Sequence, residues 1–248
     1  MRRLFSNNDA PQKEETAPSP SLQTITEFGQ MTLPEFKSDI HVISIIGQIE
    51  GHMIMPPQNK TTKYEHILPQ LIGAEQSDDI KGVLFLLNTV GGDVEAGLAI
   101  SEMISTMSKP TVSLVLGGGH SIGAPIAVAA DYSFIAPTAT MTLHPVRATG
   151  TIIGVPQSLR TLEEMQERVC NFIVKNSRIS RERLQRLMTE VGNMVTDVGT
   201  ILGGEQAAAE GLIDGVGGLK EALATLKEMI EKREESGYNS GYEQHHQS

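Results

Sequence analysis

Val83-Leu84-Phe85-Leu86-Leu87 is an unbroken apolar run that ends in Asn88-Thr89-Val90-Gly91-Gly92-Asp93. A strand with one solvated face alternates apolar and polar residues, so an unbroken run reads as a strand covered on both faces. Such burial calls for helices packed on a mostly parallel sheet, an α/β domain. The rest of the chain agrees. Residues 41–46, 111–116, 132–136 and 141–143 read as strands. Residues 94–107, 122–130, 157–176, about 180–190 and 218–233 carry helical spacing, the longest with Leu159, Leu162, Met165, Val169 and Phe172 on one side.

These elements set the expected domain limits. Residues 1–36 form a polar, disordered extension, 37–233 the folded domain, and 234–248 a disordered polar tail that holds His245 and His246. A chain of 248 residues buries an adequate core without disulfides or metals, and no cofactor is expected. The net charge of −10 argues against nucleic acid as a partner, because a phosphate backbone needs a basic footprint, and against an anionic membrane surface. No apolar stretch is long enough to span a bilayer, so no stable membrane insertion is expected, and the first residues do not read as a secretory signal. Cys170 is the only cysteine, which excludes an intramolecular disulfide and fits a reducing, cytoplasmic location. Its place on the long helix reads as core or interface packing.

Four segments carry chemistry. Gly117-Gly118-Gly119-His120-Ser121-Ile122-Gly123-Ala124-Pro125 follows a buried strand and opens an apolar helix. Glycines there permit a tight turn that exposes a side chain, and helix-start N–H groups stand ready for an oxyanion. Ser121 is the candidate nucleophile; a serine N-cap is the plain alternative. Gly91-Gly92 allows close backbone approach, so the N–H groups of Gly92 and Ile122 are the candidate oxyanion donors. His144, at the end of the strand 141–143, is the candidate base, since imidazole ordinarily titrates near neutrality. Asp197 is the candidate acid that orients it, with Glu190 as the alternative.

Taken in order, these segments resemble one family. Gly91-Gly92-Asp93-Val94-Glu95-Ala96-Gly97, the run from Lys109-Pro110 to Ser121-Ile122-Gly123-Ala124, Leu143-His144-Pro145, and Glu205 to Gly211-Leu212-Ile213-Asp214 are similar to motifs of ClpP, the proteolytic subunit of the Clp protease. The resemblance covers residues 41–230. It implies a ClpP/crotonase-like spiral of β-β-α units, assembled as a homo-oligomer of stacked rings with the sites inside a chamber. It implies a serine endopeptidase of Ser-His-Asp type acting on peptides or unfolded protein, bound as an added strand. It also implies an ATPase unfoldase as a partner, and the branch it most resembles implies support of protein export. The family's Ser-Pro-Gly-Gly reads Thr89-Val90-Gly91-Gly92 here. Counting back from the closing signature without gaps puts the family's aspartate on Gly199, so assignment to Asp197 assumes a short insertion.

Other readings stay open. Gly119-His120-Ser121-Ile122-Gly123 fits the nucleophile elbow of α/β-hydrolases, but there the histidine follows the acid, and here the histidines after Asp197 lie in the polar tail. A crotonase-like acyl-CoA enzyme would share the fold without needing Ser121 and His144 as a pair. A catalytically degenerate ring adaptor or export factor would need neither.

Overall fold

The computed structural model describes residues 38–148, 154–191 and 198–245, with side chains described to residue 236. The expected extension 1–36, Asp197 and His246 lie outside the described residues. In chain order the elements are β1 (Ile40–Glu50), β2 (Thr61–Lys63), α1 (Tyr64–Gln76), β3 (Gly82–Gly92), α2 (Val94–Ser105), β4 (Thr111–Gly119), α3 (Gly123–Val128), β5 (Tyr132–Ile135), β6 (Thr140–Leu143), α4 (Val155–Lys175), α5 (Arg181–Thr189), β7 (Thr200–Gly203), α6 (Gly204–Ala209), β8 (Gly215–Val216) and α7 (Leu219–His245). The order β-β-α recurs in β1-β2-α1 and in β5-β6-α4.

The main sheet runs β2-β1-β3-β4-β5-β8, and every pair in it is parallel. Its central strand β3 is the apolar run 83–87, and both of its faces are covered. Val83, Phe85 and Leu87 pack into the large core with residues of α1, α2 and α3, while Leu84 and Leu86 face Ala222, Leu226 and Ile230 of α7. Fully buried Phe85 alone contributes about 2–3 kcal/mol of transfer free energy.

A second, small sheet positions the candidate base. β6 pairs antiparallel with β7 from Thr140↔Gly203 to Leu143↔Thr200, but meets β4 through the single bridge Gly118↔Thr140. Beside that bridge, the Ser121 N–H that follows β4 donates to Thr142 O of β6 at 2.8 Å.

The five expected strands all form, and the expected helices form within a few residues of their ends, except that α7 continues past residue 233 to His245. Five elements were not expected: α1, β2, β7, α6 and β8. Pro69 inside α1 masks a helical signal, although Ile67, Leu71 and Ala74 share its buried face. Asp214 of the closing signature is structural. Its Oδ2 accepts from the Ser133 N–H at 2.9 Å and the Ser133 hydroxyl at 2.7 Å, and Arg178 Nη1 pairs with its Oδ1 at 2.5 Å.

Candidate active site

Ser121 lies between β4 and α3 with φ of 55°, and among the described residues it is the one non-glycine with positive φ. A left-handed conformation at such a residue costs about 1–3 kcal/mol and persists where its surroundings hold it. They do so here. The Ser121 N–H donates to Thr142 O at 2.8 Å, the His120 N–H to Thr89 O at 3.1 Å, and the Ala124 N–H to Ser121 O at 3.0 Å. The turn lifts the serine out of line with β4. The Ile122 N–H makes no backbone hydrogen bond among the described residues, which leaves a donor beside the serine. α3 spans only Gly123–Val128, so this local N–H counts for more than a helix dipole.

The loop after β3 is shaped to meet that turn. The Thr89 hydroxyl donates to Gly47 O at 2.6 Å and accepts from the Gly91 N–H at 3.0 Å. A Cβ on Gly91 would lie 2.7 Å from Ser121 Cβ, and one on Gly92 would lie 2.2 Å from Ile49 O. Only glycine allows this approach. Asp93 then caps α2 by accepting from the Ala96 N–H at 2.8 Å.

His144 follows β6 directly. Its Nδ1 bonds the carbonyl of its own neighbour, Pro145 O, at 2.7 Å. Gly199 packs behind it: a Cβ there would lie 2.5 Å from Leu143 O and 2.8 Å from His144 Cβ. Among the described residues no hydrogen bond joins Ser121 to His144 directly, yet both face one cavity of about 150 Å³. Gly92 and Ile122 line the same cavity, with Val94, Leu143, Val146, Val169, Ile173 and Met188 as apolar wall and Arg147 at its edge. The structure thus gathers Ser121, His144, Gly92 and Ile122. It does not bring in Glu190, whose Oε2 accepts from the Thr200 hydroxyl at 3.2 Å and which lines a separate depression with Arg183. Asp197 is outside the described residues.

Two groups near the site were not singled out from sequence. His120 Nδ1 bonds the Thr142 hydroxyl at 2.8 Å, and burial pushes its imidazole below the ordinary histidine range. Gln166 on α4 accepts from the Val146 N–H at 2.7 Å. Neither had a signal beyond its bare identity, because both act through residues distant in sequence or through a tautomer. Cys170 is buried as expected, and desolvation raises its thiol pKa. Among the described residues no cluster of metal-ligating side chains occurs, and no helix is long and apolar enough to cross a membrane.

The chain is similar to several known proteins. The chain is 60% identical over 222 residues to a protein of Halalkalibacterium halodurans called translocation-enhancing protein TepA, covering 89% of this chain and 87% of that one. It is 25% identical over 205 residues to the ATP-dependent Clp protease proteolytic subunit of Leuconostoc citreum, covering 78% and 91%. Among solved structures, a point mutant of ClpP1 from Listeria monocytogenes superposes with a TM-score of 0.59 at 21% identity, covering 74% of this chain and 94% of that one, which establishes the ClpP fold. The family model described as Clp protease matches residues 37–220, and with these likenesses it shows that the chain belongs to the Clp protease family.

Proposed function

We propose that this chain is a serine endopeptidase whose nucleophile is Ser121 and whose base is His144. The observation that supports it most is the left-handed Ser121, turned into a cavity that His144, Gly92 and Ile122 also line. Ser121 Oγ attacks the peptide carbonyl while His144 Nε2 takes the hydroxyl proton. The Oγ–C bond forms, the N–H groups of Gly92 and Ile122 hold the oxyanion, and the C–N bond breaks as His144 returns the proton to the leaving amine. Water then hydrolyses the acyl-enzyme by the reverse roles. Relatives named as proteolytic subunits of an ATP-dependent protease support a homo-oligomeric chamber and an unfoldase partner. The name of the most extensive match given above supports a role in protein export, with unfolded or leftover polypeptide as substrate.

A second reading has one observation in its favour. Gly199 occupies the position counted for the family's acid, and Ser121 and His144 do not hydrogen-bond each other, as a catalytically idle ring adaptor would allow. A fluorophosphonate probe separates the two. An activated serine displaces fluoride, forming Oγ–P as P–F breaks, with the proton passing to His144. Labelling of the wild type that is lost in Ser121→Ala and His144→Ala is the expected result. A correctly assembled wild type that stays unlabelled would sink the peptidase reading, and labelling would equally sink a crotonase-like acyl-CoA role.

A further inference from the structure

The peptide bond between Pro145 and Val146 is held at both of its polar ends. Its carbonyl accepts from His144 Nδ1 at 2.7 Å, and its N–H donates to Gln166 Oε1 at 2.7 Å. The Gln166 amide cannot turn over, because its Nε2 donates to Cys170 Sγ at 3.2 Å and to Met188 Sδ at 3.4 Å, both buried. A flipped amide would set its NH₂ group against the Val146 N–H, two donors facing each other. The chain His144, Pro145–Val146, Gln166 therefore has one consistent set of donors and acceptors.

A carbonyl only accepts, so the nitrogen that faces it carries the proton. With Nδ1 protonated, the neutral ring has its lone pair on Nε2, the tautomer a base needs. On the peptidase reading above, on which this rests, we propose that Gln166 is a positioning residue: it fixes the Pro145–Val146 peptide plane, and the Pro145 carbonyl, rather than a carboxylate, orients His144. The packing of Gly199 against His144 Cβ, where a side chain would collide, fits an arrangement in which the counted acid position is empty of a carboxylate.

The test uses the full chain and a fluorophosphonate probe, with the maximal labelling rate and half-saturating probe concentration measured for each variant and a thermal melt beside each. Gln166→Leu lowers the maximal rate about tenfold while half-saturation moves less than about twofold, because the ring is misoriented but the cavity is intact. Gln166→Glu, which keeps an oxygen acceptor for the Val146 N–H, restores the rate to within about threefold of wild type, a rescue that a packing role would not show. A Gln166→Leu protein labelled at the wild-type rate, or a Gln166→Glu protein no better than Gln166→Leu, overturns the proposal. So does a loss of about a hundredfold or more in Asp197→Asn, the mark of a carboxylate orienter. A wild type that no probe labels overturns the peptidase reading and this inference with it.

Discussion

Thr142 holds Ser121 twice over: its carbonyl accepts the Ser121 N–H at 2.8 Å, and its hydroxyl bonds the ring of the preceding residue, His120, at 2.8 Å. Thr142 lies in β6, whose next residue but one is His144. The strained turn that presents the candidate nucleophile is thus fastened to the strand that presents the candidate base.

Thr142→Val keeps the backbone bond and removes the hydroxyl. The variant should be less stable by about 1–2 kcal/mol, since His120 loses its partner in a half-buried place. It should also label with fluorophosphonate several-fold more slowly, while Thr142→Ser matches the wild type. Urea melts and labelling time courses on the three proteins check both parts. An unchanged Thr142→Val would show the clasp to be idle.

Replacing Gly199 by aspartate, the type the family count would put there, should not build a triad. The residue has φ of 137° and its Cβ would meet Leu143 O at 2.5 Å. Strain and crowding should destabilise Gly199→Asp by about 1–3 kcal/mol and slow labelling rather than speed it. A gain in labelling rate would refute this.

Asp214 should matter to folding and not to chemistry. Its carboxylate takes two hydrogen bonds from Ser133 and one from Arg178, and it is not among the residues lining the Ser121 cavity. Asp214→Ala leaves the buried Ser133 groups unsatisfied and should cost about 2–3 kcal/mol, read as a lower thermal midpoint. The fraction that stays folded should label at the wild-type rate.

Acid should destabilise the protein from about pH 6.5 downward, in a first step that belongs to His120. Burial lowers its folded pKa below the unfolded value. Between the two values the unfolded chain binds the extra proton, so stability is full above the unfolded pKa and falls as pH drops through the folded one. Glu95, lowered by its hydrogen bond to Arg168, and Glu210, lowered by Arg183, add a second loss at more acidic pH with the same sign. Melting temperature against pH, wild type beside His120→Gln, should show the first step only in the wild type.

The sheet was legible because burial on two faces leaves a mark that needs no partner to interpret: the run 83–87 is apolar whichever side one considers. The glycine pairs around Ser121 were legible because only that residue type admits the close approach. α1 was obscured by Pro69, β8 spans two residues, and the short apolar part of β7 runs directly into Gly203-Gly204. Gln166 left no trace in sequence because its meaning depends on Val146, twenty residues away, and on the direction of an amide that only its neighbours in the fold decide. The counted position of the acid fell on Gly199, and the structure gives that glycine a packing role against His144.

The single bridge Gly118↔Thr140 has a consequence of its own. His144 follows a strand pair whose ladder meets the parallel sheet at this bridge, while Met141 and Leu143 of that pair are buried in the same core as Phe85, Leu87 and Val115. The placing of His144 relative to Ser121 therefore rests on the Thr142 clasp and on shared core packing rather than on a long β-ladder. A library screened for heat resistance would favour tight packing of Met141 and Leu143 together with the parallel sheet, and so would act on the Ser121–His144 distance as well.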